Sequence, residues 1–295
     1  VTPAGLGISY PNGSDMVVAR LSADGSSLLG CTYLGGAAND GLNTATGLKF
    51  NYADEVRGEV LLDAQGHVWV VSCTQTPNMP TTNGAAQTAF GGGSHDGYVA
   101  RFNPQLTQLQ YGSYLGGSAA DGCYNGDLDA QGRLYVCGGT VSSDLPASNG
   151  AVQGAFNGGP ADAFAARFSG NGSTIERLTY WGSSGYDQAY FIELDQFSNA
   201  FLFGQTNAPS GQLIQNAPYN IPGGGQFITK LDPELSNVLL SSRVGAGDGT
   251  PDISPTAFLV DVCDKIYTSG WGSSAGGLGG VINWSGRHSQ DLQDV

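Results

Sequence analysis

The residues of this 295-residue chain with the most chemistry to offer are aspartates that recur at fixed intervals. Asp63, Asp129, Asp195 and Asp261 are separated by one constant interval, and Asp40, Asp121 and Asp187 each stand at the same offset after Leu34, Leu115 and Trp181. Carboxylates grouped beside backbone carbonyls could hold Ca²⁺ through oxygen ligands, and a pair at the right separation could cleave a glycosidic bond. The same residue type also serves turns, because an Asp at the first turn position accepts a hydrogen bond from the backbone two residues on. Each repeat needs that turn, so Asp63, Asp129, Asp195 and Asp261 are expected to be structural and not catalytic.

A third group breaks the regularity. The stretch from Asp15 to Asp96 is longer than the matching stretch from Asp96 to Asp162, and the extra length brings Asn51, Tyr52, Asp54, Glu55, Arg57 and Glu59 into one segment. A charge-dense insertion in a regular array is a place where specificity is added, and a structural plug is the competing reading. Asp40, Asp54, Glu55, Arg57, Asp121 and Asp187 are therefore the candidate binding residues. As an exposed loop, residues 42–56 are expected to tolerate replacement by a short link.

Other chemistry is sparse. The histidines are His67, His95 and His288, and none has a neighbourhood that suggests a nucleophile, base and orienting group. Cys31, Cys73, Cys123, Cys137 and Cys263 show no metal-ligand spacing and are odd in number. Cys123 and Cys137 flank an expected hairpin, so a disulfide and two buried thiols both remain open. No cofactor is expected beyond the possibility of Ca²⁺. A net charge of −14 with no Lys/Arg cluster argues against nucleic acid as a partner. No export signal is visible at Val1, and no long unbroken apolar run predicts a membrane span.

The elements that would position these residues follow from the same period. The segments LLDAQGHVWV (61–70), DLDAQGRLYV (127–136), ELDQFSNAFL (193–202) and LVDVCDKIYT (259–268) align without gaps. Each reads as strand, tight turn, strand, with Gly66, Gly132, Ser198 or Asp264 in the slot where a turn accepts unusual φ. A second unit, DMVVARL (15–21), DGYVARF (96–102), DAFAARF (162–168) and QFITKL (226–231), leads through a turn to a fourth strand that exits at glycine. Four antiparallel strands at fixed register are the signature of a β-propeller blade. The expected fold is all-β, one propeller region over residues 1–295 with blade hairpins starting near 60, 126, 192 and 258. It holds about four blades' worth of strands, three complete blades and two halves, with residues 273–295 as a divergent tail.

Position in the repeat also assigns roles. Trp69, Tyr135, Phe201 and Tyr267 fill one aromatic slot that packs between blades, and Arg20, Arg101, Arg167 and Lys230 fill a basic slot expected to pair with a repeat Asp. Trp181 belongs to a repeated apolar slot, whereas Trp271 and Trp284 have no equivalents and are freer to meet a partner. In an up-and-down blade, the long second-to-third loop and the exit to the next blade lie on one face, where function is expected.

The strings DGYVARF, YLGG (114–117), DAQGRLYVCGG (129–139) and LPASNGAVQ (145–153) resemble the seven-bladed propeller repeat of the SBBP type found in secreted bacterial proteins. The segment ISPTAFLVDVCDKIYTSGWG (253–272), together with YADEVRGEV (52–60), is similar to large Bacteroidota proteins that carry a gliding-motility-associated C-terminal sorting domain. That resemblance implies an arc of a larger ring. It further implies export by the type IX system through a region outside this chain, and a secreted or cell-surface address. The expected function is a non-catalytic scaffold or adhesion module that binds other extracellular proteins or polysaccharide. A propeller glycoside hydrolase or lyase is the alternative.

Overall fold

A computed structural model describes residues 13–50 and 52–272; His288 and Trp284, and the tail expected at 273–295, lie outside the described residues. The described chain is all-β: sixteen strands form five antiparallel sheets, and the only helical turns among the described residues are 3-10 segments at Thr46–Leu48 and Tyr52–Glu55. Strands β1 (Met16–Leu21) and β2 (Leu28–Leu34) pair alone. Three four-stranded sheets follow in simple up-and-down order. They are β3 (Glu59–Leu62) to β6 (Leu109–Leu115) through β4 (Val68–Thr74) and β5 (Asp96–Phe102); β7 (Asp121–Leu128) to β10 (Ile175–Trp181) through β8 (Leu134–Thr140) and β9 (Asp162–Phe168); and β11 (Asp187–Leu194) to β14 (Val238–Val244) through β12 (Ala200–Thr206) and β13 (Gln226–Leu231). A final pair, β15 (Ser254–Val260) and β16 (Ile266–Trp271), ends the description.

The hairpin turns repeat atom for atom. One Oδ1 accepts from the amides two and four residues on: Asp63 from Gln65 and His67, Asp129 from Gln131 and Arg133, Asp195 from Phe197 and Asn199, Asp261 from Cys263 and Lys265. The left-handed position falls at Gly66 (φ 79°), Gly132 (73°), Ser198 (63°) and Asp264 (60°). Glycine takes this conformation without strain, and the last two repeats accept the cost of a Cβ there.

Sheet stacks on sheet through the aromatic slot. Trp69 and Tyr135 are fully buried and Phe201 nearly so, whereas Tyr267 is half-exposed on β16. Burying a ring of this size contributes on the order of 1.5–3 kcal/mol. Trp69, Tyr135 and Phe201 stand opposite Arg101, Arg167 and Lys230 in the second-to-third strand register, and each cation lies over its ring, at 5.2, 5.8 and 4.6 Å from the centroid. The basic slot therefore differs from its expected role. Of its four members only Lys230 reaches a turn aspartate, Asp195 at 2.9 Å. The arginines share a donation to carbonyls in the next sheet's third-to-fourth turn, Arg20 to Pro104, Arg101 to Gly170 and Arg167 to Pro233, and Arg167 also pairs with Glu234 in that turn (2.9 Å) and with Glu176 of its own sheet (3.1 Å). A guanidinium fork suits this contact, since it can cover a ring and still present donors beyond it. Cys123 and Cys137 are both free thiols in the core, so the disulfide considered for them is absent. Asn125, not Cys123, stands opposite Cys137, because a bulge intervenes.

Asp129→Ala removes two turn hydrogen bonds and the partner of Arg133 Nε (2.6 Å). By analogy with a lost helix cap it should lower unfolding stability by about 0.5–2 kcal/mol, read as a shift in urea midpoint. An unchanged midpoint would show that the turn forms without its carboxylate.

Candidate functional site

The second-to-third loops and the exits between sheets do lie together. The Asp121 amide donates to His95 O and the Val141 amide to Ala120 O, while the Asp187 amide donates to Ala161 O, so each exit is stitched to the neighbouring loop. Asp40, Asp121 and Asp187 sit on this face and are each buried; Asp121 and Asp187 open β7 and β11, and Asp40 pairs with Thr74 of β4 in an isolated bridge ahead of the insertion. Asp121 accepts from the Gly117 amide (2.6 Å), Ser142 Oγ (2.7 Å) and Thr140 Oγ1. Asp187 accepts from the Ser183 amide and hydroxyl (2.7 and 2.8 Å) and Thr206 Oγ1. Asp40 accepts from the Gly36 amide (2.7 Å), Thr76 Oγ1 (3.0 Å) and Thr74 Oγ1. Every one ties the exit of the preceding sheet to the second strand of its own. A cation at these oxygens would meet N–H and O–H donors, and among the described residues no group of three or more His, Cys, Asp or Glu is placed to hold a metal.

The insertion is a plug. Asn43, Leu48 and Asp54 are fully buried, so residues 42–56 are not the exposed loop expected from their charge. Asp54 Oδ1 accepts from Arg57 Nη2 (3.0 Å) and Nε (3.2 Å), and its Oδ2 accepts from the Phe50 amide (2.9 Å). The same guanidinium lies 3.9 Å from the Tyr190 ring centroid and donates to Pro255 O (3.2 Å) and Ser254 Oγ (3.3 Å), which brings the insertion onto β11 and β15. Glu55 is not part of this contact; it pairs with Lys49 at the surface.

Beneath Arg57 runs a hydrogen-bonded chain that sequence reasoning missed. Tyr124 donates to Gln188 Oε1 (2.7 Å), Gln188 to the Tyr186 hydroxyl, Tyr186 and Tyr190 share a hydroxyl contact (2.8 Å), and Tyr190 donates to Gln205 (3.0 Å). Tyr124 and Tyr190 stack at 5.7 Å. Both occupy first-strand bulges, between Cys123 and Asn125 and between Ala189 and Phe191, where an extra residue turns its side chain out of the ladder. The two tyrosines are separated by the same interval as the turn aspartates, a signal that was available in the sequence.

Also missed was a set of carboxylates on the first strands. Asn125 donates to Glu59 (2.8 Å), and Glu193, whose pKa is pushed up to about 7 by burial and then by Asp127 and Glu59, stands near both. Asp127 is engaged by the Leu128 and Leu194 amides. Trp271 and Phe50 are both about half exposed and border a small cleft of about 110 Å³ with Gln205, Pro251, Asp252 and Ser254. Phe50 packs on Tyr186 at 5.3 Å between ring centroids. His67 is held by Asp63 at 2.8 Å, and His95 is buried, which pushes its pKa down to about 4.

No protein-family model matches the chain, and no curated protein matches its sequence. No helix among the described residues is long and apolar enough to cross a membrane.

Because Asp54 is fully buried and the Arg57 side chain is 10% exposed, Arg57→Ala should cost about 3–5 kcal/mol by removing the cation that faces the buried carboxylate. Asp54→Asn combined with Arg57→Met should recover most of that loss. Chemical denaturation of the three proteins tests this, and equal loss in the single and double variants would refute the ion-pair account.

Proposed function

We propose that the chain is a run of β-propeller blades, an arc of a larger ring, acting outside the cell as a non-catalytic binding scaffold for extracellular proteins or polysaccharide. Three sheets of identical strand order, stacked with one register and one arginine-to-carbonyl link, support the propeller reading. The resemblance to SBBP-type repeats of Bacteroidota supports a secreted or cell-surface address with type IX export.

The observation that carries the binding role is the cleft between Phe50 and Trp271 on the loop face, seated on the rigid plug. Exposed rings flanking amide and carboxylate groups suit sugar faces and protein side chains alike, because a ring offers a large apolar surface at low entropic cost. Pull-down on a panel of insoluble polysaccharides, with chromatography of the supernatant, tests the reading. Phe50→Ala and Trp271→Ala should each weaken retention about tenfold, the order of one stacking contact, with the β circular-dichroism spectrum kept. Full retention by both variants would remove the cleft from consideration.

A carbohydrate-active enzyme is the second reading, and it rests on Glu193. A carboxyl held near neutrality beside other carboxylates has the protonation behaviour of a general acid. Released oligosaccharide that disappears in Glu193→Gln would favour this reading over the scaffold.

A further inference from the structure

The third strand of each repeat opens on a second acid, at Asp15, Asp96 and Asp162, which the turn and exit networks do not use. Asp96 and Asp162 are fully buried, and Oδ1 of all three is buried without a hydrogen-bond partner. Each faces the exit glycine that also adjoins the first-strand aspartate. Asp96 Oδ1 and Asp121 Oδ2 lie 2.5 and 3.0 Å from the point where a Cβ on Gly116 would stand, and Asp15 and Asp40 flank Gly35 in the same way. Asp162 Oδ1 lies 2.5 Å from the corresponding point on Gly182, with Asp187 as its charged neighbour.

The fourth repeat shows what the arrangement requires. Gln226 replaces the third-strand acid there. In the amide orientation that satisfies both of its ends, its Oε1 accepts from the Asp252 and Ile253 amides at 2.8 and 3.1 Å and its nitrogen donates to Asp252 Oδ2 at 3.3 Å. A carboxamide is the shape of a protonated carboxyl, with a donor where the acid would carry its hydrogen. Two ionised carboxylates cannot share a buried site at low cost, and one proton between them turns repulsion into a hydrogen bond.

We propose that Asp96–Asp121 and Asp162–Asp187 are proton-binding sites, each holding one shared proton that the Gln226–Asp252 pair replaces with an amide hydrogen. The third-strand acid is the protonated partner. Its Oδ1 carries the hydrogen, because the first-strand aspartate already accepts donors suited to an anion.

The surroundings agree. Around Asp96 and Asp121 stand Asp144, the phenols of Tyr114 and Tyr180, the Cys123 thiol and neutral His95, and no cation among them. Around Asp162 and Asp187 stand Tyr180 and Arg243, the latter facing Asp187 and favouring its charge. Burial, then the Asp121 charge, raises Asp96 to about 7, and burial with the Asp187 charge does the same for Asp162. A folded value above the ordinary 3.8 means the fold holds protons that the unfolded chain releases. The associated stability is complete below about pH 4 and is lost as pH rises to about 7.

Urea unfolding between pH 4 and 8 tests the proposal on wild type, Asp96→Asn, Asp162→Asn and Gln226→Asp. Each Asn variant should reduce the protons released on unfolding by about one, flattening the decline with pH, and Gln226→Asp should add about one. The infrared carbonyl band of a protonated carboxyl, present in the wild type at pH 6, should weaken in Asp96→Asn. Slopes that coincide across all variants, or no such band, would overturn the proposal. So would stabilisation at pH 8 by millimolar Ca²⁺ that Asp96→Asn abolishes, since a cation and not a proton would then join the pair. Should an Asn variant fail to fold, Gln226→Asp decides alone, because its added proton is either released or not.

Discussion

A buried carboxylate at the exit from one sheet to the next, Asp40, Asp121 or Asp187, joins the sheets of the array. Asp121 gathers the exit amide of one sheet and the Thr140 and Ser142 hydroxyls of the next, so two sheets meet at a single side chain. Its hydroxyl donors recur at matching positions, Thr140 and Ser142 in one repeat and Thr74 and Thr76 in another, and in the third Thr206 is kept while Ser183 of the exit replaces the second. Given that node, the exit must be glycine, the third strand must begin beside it, and the aromatic and cation slots fall opposite each other further along. The links beyond it are weaker and more numerous: rings under guanidiniums, and guanidiniums on carbonyls.

The strand plan was legible because a hydrophobic pattern that returns at one constant interval, with turn residues at constant offsets, leaves little freedom. The two half sheets at either end of the description were legible for the same reason. What the basic slot touches was not. Arginine's shared partner in the next sheet is a main-chain oxygen, and main chain has no sequence signature, so Arg101 looked as if it sought a repeat aspartate, while the acids that Arg167 does meet, Glu234 and Glu176, belong to no repeated slot. Lys230, with a point charge and a shorter reach, is the one that found Asp195.

The insertion misled for a related reason. Asp54, Glu55 and Arg57 read as solvated charge, but Asp54 and Arg57 neutralise each other three residues apart and enter the interior as a pair, leaving Glu55 outside with Lys49. Glu193 was invisible because its counterparts in other repeats are Leu61, Asp127 and Leu259, and a slot that tolerates both leucine and acid carries no pattern. The unpartnered oxygens of Asp96 and Asp162 likewise needed coordinates, since sequence reports that an acid is repeated but not that its donors are missing.

Arrays of near-identical units have a characteristic hazard: any sheet can dock where its neighbour belongs, and two chains can exchange units without loss of contacts. The plug offers an escape from that degeneracy. It is present once among the described repeats, and it engages Tyr124 of β7, Tyr186 before β11, Tyr190 within it, and Pro255 of β15 together. Shifting the stack by one unit would place Gly58 or Thr256 where a bulge tyrosine is required. A chain folding sheet by sheet thus carries an internal address, so that only one order of its interchangeable parts satisfies every contact of the irregular one.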